Sequence, residues 1–108
     1  MKTGDYVRTK KGIIGKIKLV DDQTDLEDLY LIKRHWYYLK DIIKSSPNII
    51  DLIEVGDYVN GFKVVWKDNN EFCINAYNEE EKTIKKEQKI KSIVTKEQFK
   101  AMEYRIGE

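Results

Sequence analysis

Between positions 33 and 40 the chain reads Lys33-Arg34-His35-Trp36-Tyr37-Tyr38-Leu39-Lys40, so basic side chains bracket three consecutive aromatic rings. Cations interleaved with rings suit stacking on nucleic-acid bases or packing against a protein partner. Tryptophan, tyrosine and arginine are also the residue types most enriched where interfaces concentrate their binding energy. On a strand, Trp36 and Tyr38 share one face, and Tyr37 takes the other with His35 beside it. In a small barrel the Trp36–Tyr38 face fills the core and Tyr37 points outward. The candidate partner-binding residues are therefore Lys33, Arg34, His35, Tyr37 and Lys40, and the bland alternative is that the segment is simply core.

Two other charged stretches compete with it. Asp21, Asp22, Asp25, Glu27 and Asp28 cluster in one acidic run whose carboxylates could ligate a divalent cation. That run lacks the spacing and central glycine of a calcium-binding loop, so it reads as a solvated loop or as an acidic face for a basic partner. Lys82, Lys85, Lys86, Lys89 and Lys91 face Glu87 alone. This stretch reads as a solubilising loop, with contact to phosphates as the alternative.

The residues needed for catalysis are sparse. His35 is the only histidine and Cys73 the only cysteine, which rules out zinc sites built from several of them. The six glycines sit at scattered turn positions and form no phosphate-cradling loop. Cys73 lies in the alternating stretch Glu71-Phe72-Cys73-Ile74-Asn75-Ala76-Tyr77 and reads as a small buried hydrophobe. The expectation is a non-enzymatic protein with no catalytic residue, no metal site and no cofactor.

The elements that must position these side chains repeat. Gly4-Asp5-Tyr6-Val7 returns as Gly56-Asp57-Tyr58-Val59, and Ile43-Lys44-Ser45 returns, in the same order, as Ile90-Lys91-Ser92. Self-similarity at this period points to two copies of one supersecondary unit, with boundaries at 1–54 and 55–108. Each copy opens with a turn and a short strand. Lys11-Gly12 and Asn60-Gly61 supply tight hairpin turns, the second being the strongest such signal in the chain. Gly15 within the return strand suggests a bulge or a sharp bend. Asp68-Asn69-Asn70 and Asn78-Glu79-Glu80 mark further turns. Ile49 to Ile53 reads as the closing strand of the first copy. Thr95-Lys96-Glu97-Gln98 fits a capping box that opens a short helix near 95–104, and Arg105 to Glu108 could add an edge strand. The predicted fold class is mainly β: two related SH3-like small barrel or curled-sheet units in tandem, with a short C-terminal helix.

Composition narrows the setting. The chain has 108 residues, 41% apolar and 36% charged, with twenty basic and nineteen acidic side chains. So balanced a charge argues against affinity that comes mainly from neutralising phosphates. A single cysteine allows no intrachain disulfide, the apolar runs fall short of a membrane span, and the N-terminus lacks a signal-peptide stretch. These features fit a cytoplasmic protein that does not enter the membrane.

The run from Ile42 to Gly61, the opening from Gly4 to Ile17 and the tail from Ile90 to Phe99 resemble small phage and prophage proteins of clostridia and other low-GC Gram-positive bacteria. Val20 to Tyr38 and Val65 to Lys89 depart from that pattern. The resemblance implies a phage accessory protein in the bacterial cytoplasm, a class in which inhibitors of host defence, including anti-CRISPR proteins, are frequent. It assigns no functional residue. The expected function is binding and blocking a host protein, a defence component such as a CRISPR–Cas effector; the alternative is a nucleic-acid- or nucleotide-binding small barrel.

Overall fold

A computed structural model of the chain describes residues 1–22, 28–75 and 81–102. The chain divides into two units, Met1–Leu52 and Ile53–Glu108, each built on a five-stranded antiparallel sheet. The first unit contains β1 (Tyr6–Thr9), β2 (Ile14–Asp21), β3 (Leu29–Ile32), β4 (His35–Tyr38) and β5 (Ile42–Ser46). A 3-10 turn at Leu39–Asp41 precedes β5, and another at Ile49–Leu52 follows it. The second unit contains β6 (Tyr58–Val59), β7 (Phe62–Lys67), β8 (Phe72–Asn75), β9 (Glu81–Ile84), a 3-10 turn at Glu87–Lys89, β10 (Ile93–Val94) and the helix α1 (Lys96–Ala101).

The two sheets have the same topology. The first runs β4-β3-β2-β1-β5, and the second, read from β9, runs β9-β8-β7-β6-β10. Among the described residues neither sheet closes into a barrel: β4 and β5 are the edges of one, β9 and β10 of the other.

The repeated Gly-Asp pair explains why the sheets match. Gly4 and Gly56 both have positive φ, 95° and 100°, where a Cβ is strained. In the first unit the Asp5 carboxylate accepts from the Lys2 N–H at 3.1 Å, and the Asp5 carbonyl accepts from the Ile17 N–H at 2.8 Å. The second unit repeats both bonds: the Asp57 carboxylate accepts from the Glu54 N–H at 2.8 Å, and its carbonyl accepts from the Val64 N–H at 2.7 Å. The glycine N–H groups then donate to the carbonyls of Ile17 and Val64. One turn thus pins the first strand of each unit to the second, in the same register.

The other echo is shifted. Ser45 pairs with Val7, whereas the residue opposite Val59 is Ile93, one position beyond Ser92. The β1–β5 pairing has a separate irregularity further along, where Arg8 faces Lys44 but Thr9 faces Ile42.

Three expectations are corrected. Ile49 to Leu52 forms a 3-10 turn, and β5 closes the first sheet instead. The cause is local: the Asn48 side chain accepts from the Ile50 N–H, the Ser46 hydroxyl accepts from the Asn48 N–H, and Ser46 also bonds Asp51, which together wind the chain. The bulge in β2 lies at Lys18, between the pairs Ile17–Ile32 and Leu19–Leu31, not at Gly15. Gly15 is required for another reason, because a Cβ there would sit 2.7 Å from Ile32 Cγ2. The Lys33–Lys40 segment is not one strand: Lys33 and Arg34 form a hairpin turn, and Leu39 and Lys40 lie in a 3-10 turn.

Both units bury a small apolar core. Val7, Ile17, Tyr30 and Ile32 form that of the first, with Val20, Tyr37 and Ile42 packed against it. Arg8 is also buried, and its Nη1 donates to the Leu52 carbonyl at 3.0 Å, fixing the second 3-10 turn to β1. Val59, Val64, Phe72, Ile74 and Ile84 are buried in the second unit. There α1 begins with a complete capping box at Thr95 and Gln98. Asp57 Oδ1 accepts from the Lys96 N–H at 2.9 Å, and Phe99 stacks on Tyr58. The described helix ends at Ala101. The expected continuation to Tyr104, the edge strand from Arg105 and the turn at Asn78-Glu79-Glu80 lie outside the described residues.

Asp57 takes two backbone N–H bonds where Asp5 takes one from Lys2. Loss of a charge-assisted bond leaves a part-buried backbone donor unpaired. Asp57→Ala is therefore expected to lower stability in urea by about 2–4 kcal/mol and Asp5→Ala by about 1–2 kcal/mol; equal losses would remove the distinction. Thr95→Ala should cost about 0.5–2 kcal/mol in the same assay, the usual worth of an N-cap hydroxyl.

Candidate functional site

Bulge and register together decide which side chains of the first unit face outward. Cross-strand partners share a face, so the pairs Tyr30–Tyr37 and Ile32–His35 lie on one side of the sheet, and Leu31–Trp36 and Leu29–Tyr38 on the other. Tyr30 and Ile32 are buried, which makes the Tyr37 side the core side. The bulge at Lys18 reverses the alternation of β2. Ile17 therefore points inward, while Leu19, opposite Leu31, points outward.

The expected facing of β4 is thus inverted. Tyr37 packs against the core, whereas Trp36 and Tyr38 are exposed at 47% and 43%. His35 shares the inward-facing side with Tyr37 but sits beside the hairpin turn and is exposed. Of the residues proposed for partner contact, Lys33, Arg34, His35 and Lys40 are exposed and Tyr37 is half-buried.

What emerges is an apolar row across three strands: Leu19 on β2, Leu31 on β3 and Trp36 on β4, with Leu29 and Tyr38 alongside. Leu19 is 56% exposed. Lys40 lies over the Tyr38 ring, its Nζ 5.4 Å from the centroid. Beside β4 a groove of about 440 Å³ is lined by Thr9 at the end of β1, Lys10, Lys11 and Ile13 of the β1–β2 connection, the three aromatics of β4, and Asp41. The Lys10 N–H donates to the Asp41 carbonyl at 2.9 Å, which holds the base of that connection against the 3-10 turn. Sequence reasoning did not identify Lys10, Lys11 or Leu19. Only the pairing brings them near Trp36 and Tyr38.

The second unit has a counterpart row, Trp66–Cys73–Thr83, produced by the same kind of register shift between Val64 and Trp66. Trp66 is exposed, but Cys73 is buried and its Sγ lies 3.2 Å from Thr83 Oγ1. The lysine-rich stretch scatters. Lys82 is on β9, Lys85 pairs with Glu71 at 3.5 Å, and the backbone of Lys89 and Lys91 is bonded to the Asn60 side chain. Asp21 ends β2, opposite Leu29. Asp22 and Asp28 are described, but Asp25 and Glu27 lie outside the described residues. Among the described residues no group of three His, Cys, Asp or Glu is placed to hold a metal ion, and no helix is long and apolar enough to cross a membrane.

No protein-family model, curated protein or solved structure is significantly similar to this chain.

The inverted facing has a direct consequence for stability. Tyr37→Ala should destabilise the protein by about 1–2 kcal/mol because it removes a half-buried ring from the core. Trp36→Ala should cost less than about 1 kcal/mol, as expected of a surface position. Thermal unfolding of the two variants checks the assignment, and a larger loss for Trp36→Ala would reverse it.

Proposed function

We propose that this protein acts by binding another protein, and that the outer face of its first unit is the contact surface. The observation that carries this reading is the outward-facing row Leu19–Leu31–Trp36, in which Leu19 and Trp36 are exposed and Leu31 is half-buried, with exposed Tyr38 beside it and Lys33, Arg34 and Lys40 nearby in sequence. A contiguous apolar patch rimmed by charge is how interaction surfaces are built, and rings of this kind are common binding hot spots. The near-neutral charge of the chain favours a protein over a polyanion.

The two units, approximately 1–54 and 55–108, are read as related SH3-like modules. Their shared strand order, the bent second strand and the 3-10 turn before the last strand support this. The resemblance to phage and prophage proteins supports a setting in the cytoplasm of a bacterial host. The partner would then be a host protein, a defence component such as a CRISPR–Cas effector, which this protein blocks without catalysis.

A second reading, binding of nucleic acid, is favoured by one observation: Lys10 and Lys11 line the same groove as Trp36 and Tyr38. The two readings separate in an affinity purification of the full chain from a nuclease-treated lysate of a low-GC Gram-positive bacterium. A protein should be retained by the wild type. A Leu19→Ala, Trp36→Ala, Tyr38→Ala variant should lose at least about tenfold in affinity for it, given the usual hot-spot scale. Undiminished capture by that variant would exclude this face. Salt-sensitive retention on nucleic acid instead would favour the second reading.

A further inference from the structure

We infer that the groove beside β4 receives an extended acidic peptide segment, which adds to the first sheet as a sixth strand; this rests on the reading that the first unit contacts a protein. β4 is a sheet edge, and among the described residues no strand pairs with its outer side. The β3–β4 hairpin has a two-residue turn, Lys33-Arg34, with Lys33 at φ 58°. In such hairpins the pair flanking the turn, here Ile32 and His35, exchanges backbone hydrogen bonds. Bonded and non-bonded pairs then alternate, so Tyr30–Tyr37 is bonded, whereas Trp36 directs its N–H and C=O, and Tyr38 its N–H, away from β3; the Tyr38 carbonyl, at the N-cap of the Leu39–Asp41 turn, takes that turn's first bond. The groups directed away from β3 are those an added strand requires.

The residues around that edge specify the occupant. Lys10 and Lys11 border the groove, and among the described residues neither has an ion-pair partner. Lys33, Arg34 and Lys40 flank β4 in the sequence and are exposed. Asp41 is the single acidic lining residue. This charge selects carboxylates and disfavours a second copy of β4, which would bring the same cations against one another. A peptide backbone also satisfies both the donors and the acceptors of the edge, whereas a nucleic-acid strand offers no matching ladder. The outward rings of Trp36 and Tyr38 add apolar contact for alternate side chains of the bound strand.

The test uses the full chain, labelled with 15N, and three probes: an alternating Glu-Val decapeptide, its Lys-Val counterpart and decathymidylate. The Glu-Val peptide should shift the amide resonances of Trp36 and Tyr38 more than that of Tyr37. N-methylation of its alternate backbone nitrogens should abolish binding. Lys10→Glu with Lys11→Glu, at exposed positions where the melting temperature should hold, is expected to weaken it at least tenfold. The Lys-Val peptide and decathymidylate should leave the spectrum unchanged. No shift at Trp36 and Tyr38 with about 1 mM acidic peptide, the weak end of specific binding, would overturn the inference, as would tighter binding of decathymidylate or equal binding of the N-methylated peptide. If the acidic peptide fails while the Leu19→Ala, Trp36→Ala, Tyr38→Ala variant still loses a captured protein, the inference falls and the contact face stands.

Discussion

The backbone bonds of the Gly-Asp turn are the constraint on which the rest of each unit depends. An aspartate carboxylate holds the N–H three residues upstream, while the same residue's carbonyl takes the N–H of Ile17 or Val64. A glycine at positive φ lets the chain enter this turn without a Cβ clash. These bonds fix the pairing of the second strand with the first at the end of the ladder farthest from the hairpin turn. A shift by one residue would exchange inward and outward side chains along the whole strand. In the second unit Asp57 does more, since it also binds the first turn of α1 through the Lys96 N–H. Lys96 in turn pairs with Glu54 at 2.7 Å.

From that starting register the bulge in the second strand produces the outer apolar row. Before the bulge, Ile17 and Val64 point into their cores; after it, Leu19 and Trp66 point out. The two units then diverge in what they place beside that residue. In the first unit Leu31 and Trp36 extend the row with apolar surface. In the second, Cys73 is buried with its Sγ against Thr83 Oγ1, and Trp66 is the exposed apolar member beside the exposed, polar Thr83. The same architecture thus carries a broad outward apolar row in one unit and a narrower one in the other.

Much of the architecture was legible in the sequence because turn chemistry is local. Asn60-Gly61 adopts positive φ at both residues, and Thr95 with Gln98 forms the capping box. The repeated Gly-Asp-Tyr-Val marks equivalent strands, β1 and β6. The facing of β4 was not legible. His35-Trp36-Tyr37-Tyr38 has no polar–apolar alternation, so nothing within those four residues says which side is buried; that follows from Tyr30 and Ile32 across the hairpin. The apolar run from Ile49 was misread for a related reason. Hydrophobicity marks burial in a strand and in a 3-10 turn alike, and the side-chain bonds of Ser46 and Asn48 decide between them. Leu19 meets Trp36 only through the pairing of β2 with β3 and of β3 with β4, and Lys10 and Lys11 meet it only across the groove, so no local signal ties them together.

One hydrogen-bonded turn, used twice, fixes both sheets. Amide hydrogen exchange followed by NMR measures it most directly, because the amides of Ile17 and Val64 donate to the aspartate carbonyls of the two turns. Both amides are expected to exchange among the slowest of their units, together with those of the central strands. Exchange of either amide at the rate of an unprotected backbone N–H would contradict this role of the turn.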